Sequence, residues 1–173
     1  ELLRYLASNN LHPPVQLNGV LFPHDILKIQ RDGKVQIVLQ LRKELAEQGR
    51  SELLCYISEV SPAVSTILMD PSAGAGATID LEHAMSLMRE IEERHPKTFR
   101  FGFAGGLGGS HPADIERTSA RVAELSRNIP HGAFSVDAET KVRVRVDETE
   151  IDRLDVSLCA QYFKAVRSGL FSR

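Results

Sequence analysis

Five short runs rich in branched and aromatic side chains alternate with stretches of helical periodicity, and this alternation constrains the fold more than any other feature of the chain. The runs lie at 15–21, 35–41, 65–70, 99–104 and 133–137. Within them apolar positions are too continuous for one face to be wet, which is the pattern of parallel strands covered on both sides by helices. Two architectures satisfy it, an open doubly wound sheet and a closed (β/α) barrel of the TIM type, and both place ligands at the C-terminal ends of their strands. The expectation is therefore an α/β chain whose chemistry sits in the segment that follows each strand.

The intervening stretches fill in this plan. Residues 2–7 read as the end of a helix stopped by Asn9, Asn10 and the Pro13-Pro14 pair. Asp25 is placed to cap a brief helix through Ile29, and Asp32-Gly33 reads as a turn. Residues 44–60 are helical with a break near Gly49 and Ser51. The spacing of Leu81, Ala84, Met85, Leu87, Met88 and Ile91 predicts a helix over 80–95 with those residues inward. Another helix is expected over 116–127, and 141–147 alternates Val with charge as a hairpin arm or extra strand would. A final helix from Asp152 or Asp155 turns Leu158, Cys159, Tyr162, Phe163 and Val166 inward and ends at Gly169.

Two stretches stand out as sites. Phe101 to Gly109 holds five of the chain's 12 glycines, and Gly105, Gly106, Gly108 and Gly109 open between a strand and a helix. Bare backbone N–H groups in that position form a cradle for a phosphate. A tight turn needing positive φ is the alternative. Asp70 stands at the end of a strand and is followed at once by a loop containing Gly74 and Gly76. Neither glycine stretch has the full Gly-x-Gly-x-x-Gly spacing of a dinucleotide site. A loop or helix cap is the alternative role for Asp70.

Composition narrows the partners. At 173 residues the chain is read as a single domain over 1–173, and a net charge of -2 gives no electrostatic reason to expect nucleic acid or an anionic membrane. No segment approaches a membrane span. Cys55 and Cys159 lie outside any Cys-x-x-Cys spacing and fall on expected helices, where the reading is of small buried hydrophobes in a reducing cytoplasm. His24 and His111 follow strands and could face a site, whereas His83, His95 and His131 fall on helices or before a strand. No pair has metal-ligand spacing, so neither metal nor cofactor is expected.

The order Val-Gln-Leu-Asn-Gly at 15–19, Ile-Leu-Met-Asp at 67–70 with Gly74-Ala75-Gly76-Ala77-Thr78, Phe-Ala-Gly-Gly-Leu at 103–107 and Val-Asp at 136–137 resembles phosphoribosylanthranilate isomerase. That family is an eight-stranded (β/α) barrel that rearranges a phosphoribosylated anthranilate from aldose to ketose in tryptophan synthesis. The resemblance spans about residues 15–166, with the matching runs similar to its fourth, sixth, seventh and eighth strands. It implies that Asp70 is the general acid that protonates the ribose ring oxygen, a role that desolvation at the mouth of an apolar barrel favours. It implies further that Gly74 and Gly76 form the loop after strand six. Gly105, Gly106 and Gly108 would hold the phosphate after strand seven, with Asp137 at the end of strand eight.

The chain also departs from that pattern. The family's base is a cysteine on its first strand, and nothing before Val15 supplies strands one to three. Asn18 stands where the family has histidine, and the loop after Asp137 is acidic at Glu139, which Lys141 and Arg143 would have to offset. The reading is therefore a barrel domain lacking its first strands, incomplete at the N-terminus, binding a phosphorylated small molecule. A second copy or a preceding segment is expected to cover its open strand edges. The alternative is a phosphate-binding paralogue that is non-catalytic or differently catalytic.

Overall fold

The computed structural model describes residues 8–9, 14–18, 21–41, 49–70, 80–108, 111–129, 134–138, 143–146 and 151–171. The elements follow in the order β1 (Val15–Leu17), α1 (Pro23–Gly33), β2 (Ile37–Leu41), α2 (Arg50–Val60), β3 (Val64–Met69), α3 (Leu81–Arg94), β4 (Arg100–Phe103), α4 (Pro112–Asn128), β5 (Phe134–Val136), β6 (Arg143–Val146), β7 (Ile151–Leu154) and α5 (Val156–Phe171). Strands β1 to β5 make one parallel sheet in sequence order, alternating with helices. A separate antiparallel pair, β6 with β7, is inserted between β5 and α5, so the fifth strand is not followed directly by its helix. The alternating Val and charge at 141–147 supplies one arm of that hairpin; the other arm, Ile151–Leu154, is a strand the sequence reading does not contain, and of the two helix starts it allows, Asp152 and Asp155, the structure has the second. The helix end expected at 2–7 lies outside the described residues.

Contacts concentrate in two compact units, Glu1–Asp70 with Glu82–Gly102, and Pro71–Leu81 with Phe103–Arg173. In the first, β1 pairs with β2 and β2 with β3, all parallel, through Val15 opposite Ile37 and Leu41 opposite Met69. Ile37, Leu39 and Ile67 are fully buried together with Ile57, Val60 and Ile91 from α2 and α3. All six residues expected on the inner face of α3 are buried, because a 3.6-residue repeat leaves only one way to hide them. Arg50 grips Glu90 with two hydrogen bonds, of 2.8 and 3.0 Å, tying the start of α2 to α3. Those bonds hold the Glu90 carboxyl below the usual range.

Local chemistry corrects several expected boundaries. Helix α1 starts at Pro23 and runs to Gly33, so Asp25 lies in its first turn rather than capping it, and Asp32-Gly33 is its last turn rather than a loop. Pro23 suits the first helical position, where its missing N–H costs nothing. The chain leaves the helix through Lys34 at φ 49. Gly49, at φ 102, stands just before α2 and Ser51 is helical, while the part of the expected helix at 44–48 lies outside the described residues.

In the second unit α4 packs against α5. Gly169 does not end α5; it lies inside the helix and is buried against α4, where an added Cβ would sit 2.7 Å from Val122 Cβ and closer still to the Ser119 carbonyl oxygen. Gly169→Val is therefore expected to force the helices apart and cost about 1–3 kcal/mol, read as a lower urea midpoint at unchanged slope. Asp155 caps this helix by accepting from the Leu158 N–H at 2.9 Å, while Asp152 belongs to β7. Phe163, expected inward, is 67% exposed.

Candidate functional site

The first candidate locus grows out of strand register. Residues aligned in a parallel pair share a face, as do alternate residues along a strand. Gln16 aligns with Val38, and Gln40 aligns with Leu68, so Gln16, Gln40 and Asp70 share one face on a diagonal that climbs two residues per strand. Asp70 continues the ladder past β3, its N–H donating to the Leu41 carbonyl at 3.3 Å. Gln40 Nε2 donates to Asp70 Oδ2 at 2.6 Å, and Gln16 Nε2 donates to Gln40 Oε1 at 3.0 Å. A carboxylate oxygen accepts, which turns the Gln40 amide nitrogen toward Asp70 and leaves its oxygen for Gln16. Gln40 and Asp70 are each 4% exposed.

Neither glutamine was singled out from the sequence. The signal was present in Gln40, a polar residue inside an otherwise apolar strand that must find a partner when buried. Its partner lies 30 residues away and could not be read from local pattern.

The second locus is the glycine turn after β4. Gly105 and Gly106 have φ of 110 and 65, conformations that an L side chain rarely adopts. Their N–H groups make no hydrogen bond among the described residues. Gly108 behaves differently: its N–H donates to Thr118 Oγ1 at 2.8 Å, and Thr118 in turn donates to the Asp114 carbonyl at 2.8 Å. Thr118 is fully buried on α4 and fastens the turn to that helix, a role not anticipated from the sequence.

The start of α4 adds no open donors in its first turn. Pro112 has no N–H, Ala113 N–H donates to His111 Nδ1 at 3.2 Å, and the Asp114 and Ile115 N–H groups donate to the His111 carbonyl. Among the described residues, which do not include Gly109, the expected strand-to-helix cradle thus narrows to Gly105 and Gly106, because Gly108 and the helix start are already satisfied. His111 serves as the helix cap.

Asp137 follows β5 in the same unit. Its N–H donates to the Phe103 carbonyl at 2.9 Å, which sets the end of β5 beside the end of β4, and its side chain is exposed. Leu107 of the glycine turn packs on Tyr162 of α5, with Val136 and Ala138 on either side of Asp137 joining the cluster. Cys159 joins it too, as expected of a small hydrophobe, but Cys55 is exposed on α2.

No family model matches this chain, and no curated protein is similar to it in sequence. The functional argument therefore rests on geometry. Gly74, Gly76, Glu139 and Lys141 lie outside the described residues, as does His131. Of the other histidines, His24 is exposed beside Asp25, and His95 bonds Ser58 Oγ at 2.9 Å. Among the described residues no group of three or more His, Cys, Asp or Glu could hold a metal ion, and no helix is long and apolar enough to cross a membrane.

Proposed function

We propose that this chain binds the phosphate of a phosphosugar at Gly105 and Gly106, and that it is a (β/α) barrel related to phosphoribosylanthranilate isomerase with Asp70 as proton donor. The observation that carries the reading is the pair of consecutive positive-φ glycines after β4, whose two N–H groups are unpaired among the described residues. Such a pair leaves two N–H donors without a side chain in the way, which suits the close approach of a phosphate oxygen. Placement after the fourth of five parallel strands agrees with the general habit of phosphate sites in barrels. The family's chemistry also needs an acid at a strand end, and Asp70 offers a buried carboxyl just after β3. The reaction would be an aldose-to-ketose rearrangement needing no cofactor.

A second reading, phosphate binding without this catalysis, is favoured by one feature. Neither cysteine follows a strand, so no residue among those described matches the family's base. Incubation of the protein with a phosphoribosylated aromatic amine separates the two. The isomerase reading expects the ketose product; binding of the phosphate with no turnover selects the paralogue.

A further inference from the structure

Gln16, Gln40 and Asp70 form a line of three hydrogen-bonded polar side chains that runs from the surface into the first unit. Gln16 on β1 is exposed, whereas Gln40 and Asp70 are sealed from solvent. The strands along which the line climbs, Val15–Leu17, Ile37–Leu41 and Val64–Met69, hold no charged residue. An amide buried in such a strand is costly unless both its ends are bonded. Gln40 is bonded at both ends, its nitrogen donating to Asp70 Oδ2 at 2.6 Å and its oxygen accepting from Gln16 Nε2 at 3.0 Å.

What an acid must do gives this arrangement a use. A general acid alternates between carboxyl and carboxylate, and the two forms ask opposite things of a neighbour, since the carboxylate only accepts and the carboxyl also donates. A glutamine amide carries a donor and an acceptor on one planar group about a soft terminal torsion, so a half-turn exchanges them with little change of shape.

We propose that Gln40 is a positioning residue for Asp70, and that Gln16 sets which end of the Gln40 amide faces the acid. The inference rests on the reading of Asp70 as proton donor. With Asp70 ionised, the line stands as observed, Gln16 donating to Gln40 and Gln40 to Asp70. With Asp70 protonated, both amides make a half-turn, so that the Asp70 O–H donates to Gln40 Oε1 and Gln40 Nε2 donates to Gln16 Oε1. The glutamines only rotate; the transferred proton comes from Asp70. Gln16 ends the line in water, which donates and accepts alike, so both arrangements are satisfied at the exposed end. The carboxyl is thereby held in one place before and after it gives up its proton.

Steady-state turnover of a phosphoribosylated aromatic amine by the wild-type protein, Gln40→Met, Gln16→Met and the double variant tests this, with thermal midpoints taken on the same preparations. Methionine keeps the length of glutamine and removes both hydrogen-bonding groups of the amide. The expected result is a kcat lower by about 10-fold in Gln40→Met and about 3-fold in Gln16→Met, with KM within about twofold of wild type, because a misplaced acid slows proton transfer without changing substrate binding. The double variant should fall no further than Gln40→Met, since Gln16 acts only through Gln40. Gln16 is exposed, so its variant keeps the wild-type midpoint and decides the question even where methionine at position 40 prevents folding. A lowered midpoint with unchanged kcat in Gln40→Met would make Gln40 a brace and overturn the inference while leaving Asp70 as the acid. Unchanged kcat in Gln16→Met, or losses that multiply in the double variant, would overturn it as well. A wild-type protein that yields no ketose would overturn the proton-donor reading and this inference with it.

Discussion

Gly106→Val is expected to abolish phosphate binding, with affinity falling by at least ~100-fold, equivalent to about 2.8 kcal/mol at 1.4 kcal/mol per tenfold. Two effects act in the same direction. At φ 65 the backbone is in the left-handed region, where a β-branched side chain is strained. A side chain at this position also stands where the anion must approach the N–H groups. Gly106→Asn separates them, because asparagine tolerates the left-handed region with little strain yet still obstructs the approach. Calorimetry should show binding lost in both variants and a lowered melting temperature chiefly in the valine one. Phosphate affinity that survives in both would reduce the glycines to a tight turn.

Asp70→Asn should cost at least ~100-fold in turnover of a phosphoribosylated aromatic amine, the scale of a missing general acid. Asparagine keeps the size of the side chain and its carbonyl oxygen still accepts from Gln40 Nε2, so the Gln16–Gln40 chain survives. Phosphate affinity should stay within a factor of a few. Under the alternative role, a brace that anchors the segment after β3, turnover would be untouched and only the melting temperature would fall by a few degrees. Measuring kcat, phosphate affinity and melting temperature on the same preparation distinguishes the two.

The sequence by itself determined the order and kind of the elements from β1 to β5, though not strand β7. Near-continuous apolar strands and one-faced helices are local properties, and α3 shows it best: the six apolar positions that define its period are the six that are buried. The positions of Asp70 just after β3 and of the glycines just after β4 were legible for the same reason. Boundaries were less so, because Pro23 and Asp155 act through caps and first turns that composition alone does not fix. Gly169 marked a helix end by its residue type, yet it serves a helix crossing that exists only once α4 and α5 meet.

The partners across elements were decided by tertiary structure alone. The register of three parallel strands brings Gln16 and Gln40 to Asp70, and no spacing rule links residues 16, 40 and 70. The fold likewise spends the Gly108 amide on Thr118, satisfies the start of α4 through His111, and among the described residues leaves Gly105 and Gly106 as the open pair. Four glycines in five residues were equivalent in sequence. Gly108 ceased to be so when its N–H met Thr118 on α4, because each N–H has one proton to donate and the folded chain determines what it meets.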